Sequence, residues 1–186
     1  MMNNLRMLLL LLPFLLGAQE WEVSVDEDAI KISIDGNIVA GDRQNIYLFP
    51  AEGESCEVAH SYFSSYSMAD KAVADMKNLP SKYVLANIND KEKFLATAIT
   101  ASEFLLGTII YFYTSSNAVE DLIEFYAEDE LISIELLDFY DIENSKRLNV
   151  NIEDYFDLPK NTWNLDGLAK ALELGKEKCL SSDYAQ

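Results

Sequence analysis

The sequence predicts an α+β fold: a largely antiparallel β-sheet, meander or sandwich-like, with two to four helices and the C-terminal helix packed on the sheet. Three observations lead there. Short segments of period-two alternation recur from Trp21 to Ile152, turn-forming residues punctuate them, and helical spacing is clean only near the C-terminus. Runs of strands broken by few helices point to antiparallel pairing rather than to regular βαβ alternation.

Residues 1–18 carry Arg6, an apolar run from Met7 to Leu16, and Gly17-Ala18 at the exit. That is the pattern of a cleaved secretory leader, and the run is shorter than the roughly twenty apolar residues a spanning helix needs. The expected organisation is therefore a leader over 1–18 and a single globular domain over 19–186, periplasmic or secreted, with no membrane span after cleavage.

Trp21, Val23 and Val25 alternate as a first strand. Ile30, Ile32 and Ile34 form a second after the Asp26-Glu27-Asp28 turn, and Asp35-Gly36-Asn37 signals a hairpin into Ile38-Val39. Ile46 to Phe49 follows as a further strand, ended by Pro50. Along 56–66, alternation places Cys56, Val58, His60 and Tyr62 on one face and Glu57, Ala59, Ser61 and Phe63 on the other. A short helix is expected over Ala69 to Lys77, closed by Pro80, and then a strand from Tyr83 to Ile88.

Residues 90–106 fit two periods. Phe94, Leu95, Ala98, Ile99, Ser102, Leu105 and Leu106 trace a helical stripe stopped by Gly107, which tips the balance slightly to helix, while Phe94, Ala96 and Ala98 suit a hairpin return across Asn89-Asp90. Thr108 to Tyr113 is a β-branched and aromatic strand. Asn117 and Glu120 resemble a capping box at the head of an acidic amphipathic helix, Asn117 to Glu128, with Val119, Leu122, Ile123 and Tyr126 on its apolar stripe. Leu131 to Leu137 and Arg147 to Ile152 read as the last strands. At the C-terminus, Asn164 is placed to cap a helix with Trp163 stapled onto Leu168, and Leu165, Leu168, Leu172, Gly175 and Cys179 recur at helical spacing.

Two cysteines behind an export signal predict one disulfide, Cys56 to Cys179. Cys179 lies on the buried stripe, so the bridge would clamp the last helix to the strand that carries Cys56.

The chain has 14 basic and 32 acidic residues, a net charge of −18, which opposes binding to nucleic acid. It lacks the phosphate-cradling glycine loops, the nucleophile elbow and the paired-histidine zinc motif, and a single histidine cannot build a multi-histidine site. No catalytic, cofactor or metal residues are assigned. A calcium loop starting at Asp26 fails because Ile30 and Lys31 stand where an oxygen ligand and a glycine are required. His60 and Ser61, adjacent on a strand, point to opposite faces and cannot act as base and nucleophile, so His60 reads as structural.

What remains is an interleaving of acids and aromatics: Glu124 to Glu130, Asp138 to Asp141, and Glu153 to Asp157. Aromatics left on the surface among carboxylates would receive a cationic protein through charge steering and cation–π contact. The residues singled out for such a partner are Glu124, Tyr126, Glu128, Phe139, Tyr140 and Tyr155. The opposing expectation is that the rings are core and the acids only solvate the surface. The chain is accordingly expected to be an exported non-enzymatic protein that binds a protein or an envelope component; the alternatives are a small periplasmic hydrolase working through carboxylates and an acidic binder or inhibitor of a basic protein.

Overall fold

The computed structural model describes residues 20–36, 41–50, 56–71 and 83–181. The leader, the strand expected at Ile38-Val39 and most of the helix expected over Ala69 to Lys77 lie outside the described residues.

Ten strands form one antiparallel sheet among the described residues. In chain order these are β1 (Glu22–Asp26), β2 (Ala29–Asp35), β3 (Arg43–Leu48), β4 (Val58–Ser67), β5 (Tyr83–Ile88), β6 (Glu92–Phe104), β7 (Gly107–Ala118), β8 (Leu131–Asp141), β9 (Lys146–Arg147) and β10 (Lys160–Asn164). Their spatial order is β1-β2-β3-β4-β7-β6-β5-β8-β10, with β9 beside β8. The first four strands follow one another as a meander, whereas β7, β6 and β5 are laid down in reverse, so the long β4·β7 pairing joins the two halves.

The sheet is curled, and its concave face holds the core. Trp163 on β10 comes within 6.2 Å of Phe63 on β4, although these strands are far apart in the sheet order. Trp21 Nε1 donates to Asn164 O at 2.9 Å, tying the residue before β1 to the last strand. Ile30, Ile32 and Ile34 point inward and are buried, as alternation requires, along with Ala59 and Phe63 of β4. Phe63 and Phe112 stack at 4.8 Å, and Phe156 and Phe139 continue the aromatic core. Val25, which alternates with Trp21 and Val23, is exposed.

Two α-helices are described, α1 (Val119–Tyr126) and α2 (Leu168–Ser181). α2 packs on the concave side of β1 to β3. Its stripe of Leu168, Leu172, Gly175 and Cys179 is buried, as its spacing implies, and Gly175 allows a close approach to the sheet: a Cβ there would stand 2.5 Å from Ile32 Cδ1, and that side chain would have to shift. The helix is clamped by a disulfide between Cys56 and Cys179, whose Cα atoms are 5.9 Å apart across 123 residues of chain. In the chain-entropy account, closing so long a loop stabilises the fold by up to about 5 kcal/mol. Lys176 adds a second clamp, donating to Glu57 Oε2 and Glu120 Oε1, each at 2.6 Å; these bonds raise the lysine pKa and lower that of Glu120.

Four local expectations need correction. Residues 92–104 are strand, not helix: Asn89 and Asp90 both adopt positive φ (51° and 54°), which reverses the chain after β5 and lets Ala96 and Ala98 alternate into the core. Asn117 does not cap α1; it lies within β7, its Nδ2 donates to Ser115 Oγ at 2.8 Å, and the helix has Ala118 as N-cap with no side-chain cap bond. Trp163 and Asn164 belong to β10 rather than to a helix start, because Lys160–Asn164 finds β8 as a partner; Asn164 Oδ1 instead accepts from Asp166 N at 2.8 Å in the turn before α2. The strand expected over Arg147 to Ile152 shrinks to Lys146–Arg147 and gives way to a 3-10 turn over Ile152–Asp154.

Candidate functional site

On β4, alternation puts His60 and Tyr62 on the convex face opposite Ser61 and Phe63, as expected from the sequence. The neighbouring strands place rings beside them. In register, Tyr47 of β3 faces His60, and Tyr62 faces Tyr113 of β7. The Tyr47 and Tyr62 rings meet edge to face at 5.4 Å, Tyr62 and Tyr113 lie 5.3 Å apart, and Phe49 meets His60 at 5.2 Å. Such pairs stabilise a sheet face beyond the area they bury.

Part of this ring cluster walls a shallow cleft of about 430 Å³. Tyr47, Phe49, Tyr62 and Tyr111 form its apolar side, and Asp26, Glu27 and Asp28 of the β1–β2 turn form its rim. Glu27 takes a positive φ of 49°, which lets the hairpin close in two residues and gathers three carboxylates at its tip. Among the described residues, none of the three is ion-paired. Asn45 lies in the wall between Ser33 and Tyr62 in register; it is only 3% exposed, and its Oδ1 has no hydrogen-bond partner. An unmatched buried carbonyl is costly, and an N–H donor arriving in the cleft would relieve that cost.

The phenols stay protonated across the working pH range. Burial raises the pKa of Tyr47, and the Asp26 carboxylate and neighbouring tyrosines add to it against the opposing pull of Arg43; burial and Tyr113 do the same for Tyr62. Their rings therefore present neutral π faces. Lys31 Nζ already lies over the Tyr47 ring, 5.9 Å from its centroid, so this face takes an ammonium group from within the molecule.

His60 Nδ1 lies 2.7 Å from Ser116 Oγ, which in turn lies 2.7 Å from the Tyr113 hydroxyl. Ser61, the serine beside it in sequence, is buried on the other face.

The C-terminal acids and aromatics divide. Glu124 and Glu128 are exposed on and just after α1, Tyr126 is half-buried against Phe125 at 4.9 Å, and Tyr140 is half-buried on β8. Burial and the Asp129 carboxylate push the Tyr126 phenol well above its ordinary value. Phe139 and Tyr155 meet edge to face at 4.8 Å inside the core, 1% and 9% exposed. Among the described residues no cluster of three or more His, Cys, Asp or Glu is placed to hold a metal ion, and no helix is long and apolar enough to cross a membrane.

The convex cleft was missed from sequence. Its one visible signal is three pairs of rings at i and i+2, Tyr47 with Phe49, His60 with Tyr62 and Tyr111 with Tyr113, on the strand face that an edge of polar residues would normally occupy. No family model matches the chain, and neither the curated proteins nor the solved structures include a match. What the cleft does has to follow from its own chemistry.

Proposed function

We propose that this chain is an exported, non-enzymatic binding module that captures a lysine- or arginine-bearing protein, inserting one cationic side chain into the tyrosine cleft. The observation that carries the reading is the buried Asn45 carbonyl without a partner, set between aromatic faces and three unpaired carboxylates. An ammonium or guanidinium group satisfies all three at once: it donates to the carbonyl, lies against the rings and offsets the acids. The disulfide and the leader-like residues 1–18 support a periplasmic or secreted setting. The net charge of −18 favours encounter with a basic protein over other envelope components.

Titration with octalysine at low and high salt tests this. Binding should weaken steeply as salt rises and should fall about tenfold in Tyr47→Ala and Tyr62→Ala. Affinity that ignores both tyrosines would reduce the interaction to general charge attraction and refute a defined site.

One observation favours hydrolysis as a second reading, the 2.7 Å approach of His60 Nδ1 to Ser116 Oγ. Under that reading a fluorophosphonate labels Ser116 and His60→Ala abolishes labelling. An unlabelled serine refutes it.

A further inference from the structure

Gln44 and Asn45 are consecutive on β3, so their side chains leave opposite faces of the sheet. Asn45 faces the convex cleft. Gln44 faces inward, is 3% exposed, and its Oε1 likewise has no partner. It borders a second cavity, of about 310 Å³, between the curled sheet and α1. Phe94 and Ile134 line it from the sheet, and Leu122, Phe125 and Tyr126 close it from the helix.

Two other polar side chains on this wall already donate elsewhere. Thr114 Oγ1 donates to Ser61 O at 3.0 Å and Asn117 Nδ2 to Ser115 Oγ at 2.8 Å. Among the described residues Gln44 Oε1 is thus a buried acceptor without a partner on a wall that mixes apolar and polar side chains, and a concave site with an apolar lining and a few convergent polar groups is the usual form of a small-molecule pocket. The charge around it narrows the ligand. Glu92 and Asp121, both exposed, stand at the mouth and repel anions, while the apolar lining makes a buried cation costly.

We infer that the chamber under α1 binds a small, neutral, largely apolar molecule that donates one N–H or O–H to Gln44 Oε1. The site is separate from the cationic cleft and does not rest on it.

Calorimetric titration of the oxidised protein with indole, 1-methylindole and indole-3-acetate tests this. The first two share an apolar body and differ in the donor, and the third adds a negative charge. Indole should bind about three- to tenfold more tightly than 1-methylindole, the range a single hydrogen bond supports, and indole-3-acetate should bind more weakly than indole. Gln44→Leu, which removes the acceptor at similar volume, should abolish the preference for indole. Saturating octalysine should leave indole affinity unchanged.

Failure of both neutral indoles to bind, equal affinity for them in the wild-type protein, or displacement by octalysine would overturn the inference. The wild-type comparison alone decides the matter if the Gln44 variant does not fold.

Discussion

The convex face of β3, β4 and β7 together with the β1–β2 turn beside it, and the C-terminal stretch from Asp138 to Asp157, both combine aromatics with acids, yet they do opposite things with them. On the convex face the rings of Tyr47, Tyr62 and Tyr113 stand outside the core and meet each other across strands. In the C-terminal stretch, Phe139, Tyr155 and Phe156 are buried and pack inside the curl of the sheet. Composition is therefore a poor guide to an interaction surface. On a strand, the face a ring leaves from decides whether it is buried, as for Phe139 of β8 against Tyr47 and Tyr62; Tyr155 and Phe156 reach the core from the turn that follows the 3-10 segment.

The buried acids of the two regions differ in the same way. Asp138, in the C-terminal stretch, accepts from Arg147 Nε and Val150 N at 3.1 Å and from Asn149 N at 3.2 Å, so its charge is well matched. Asp42, preceding β3, is 1% exposed, accepts from Tyr66 N at 2.7 Å through one oxygen, and leaves the other unmatched. Burial outweighs that one bond and raises the Asp42 pKa to about 6.

The largest expected effect lies in the core. Phe139→Ala should cost about 3 to 5 kcal/mol in urea unfolding, from lost burial and the cavity left behind, while octalysine affinity of the folded protein stays unchanged. A loss of affinity in the folded protein would mean that the C-terminal rings serve recognition after all.

Asp42→Asn comes next and has a definite sign. A folded pKa above the unfolded value gives stability that is complete below about pH 4 and is lost as pH rises through about 6. The wild-type protein should thus lose about 3 kcal/mol from this group between acid and pH 8. Asparagine keeps the acceptor for Tyr66 N without the charge, so the variant should be the more stable protein at pH 8, with the advantage gone near pH 3. Equal stabilities at pH 8 would show that Asp42 stays charged at little cost.

Tyr62→Ala should cost only about 1 kcal/mol of stability, as a half-buried ring outside the core, and yet lower octalysine affinity about tenfold. The smallest change in stability is expected for the triple variant Asp26→Asn, Glu27→Gln, Asp28→Asn, within about 0.5 kcal/mol. Its binding should become severalfold weaker and visibly less dependent on salt. A salt dependence equal to that of the wild-type protein would remove the acidic turn from the site.

Much of the frame was legible from local pattern. Alternation assigned Ala59, Ser61 and Phe63 against His60 and Tyr62, and helical spacing put Leu168, Leu172, Gly175 and Cys179 on one buried stripe that the Cys56 bridge confirms. What stayed hidden depends on partners distant in the chain. Residues 92–104 satisfy both a helical and a strand period, and only the positive φ values at Asn89 and Asp90, together with pairing to β5 and β7, decide between them. Lys160–Asn164 becomes a strand because β8 offers an edge, which no local pattern announces. The cleft joins residues of β3, β4, β6 and β7 with the β1–β2 hairpin, and the unmatched carbonyls of Gln44 and Asn45 emerge only when every neighbouring donor is known.

The most direct test of the account is a two-dimensional amide NMR titration of the oxidised protein with octalysine. The expected result is saturable perturbation of the Asn45 side-chain amide and of the backbone at Tyr47, Tyr62 and Tyr111. Perturbation confined to Glu124 to Glu130 and Asp138 to Asp141, with Asn45 silent, would contradict it.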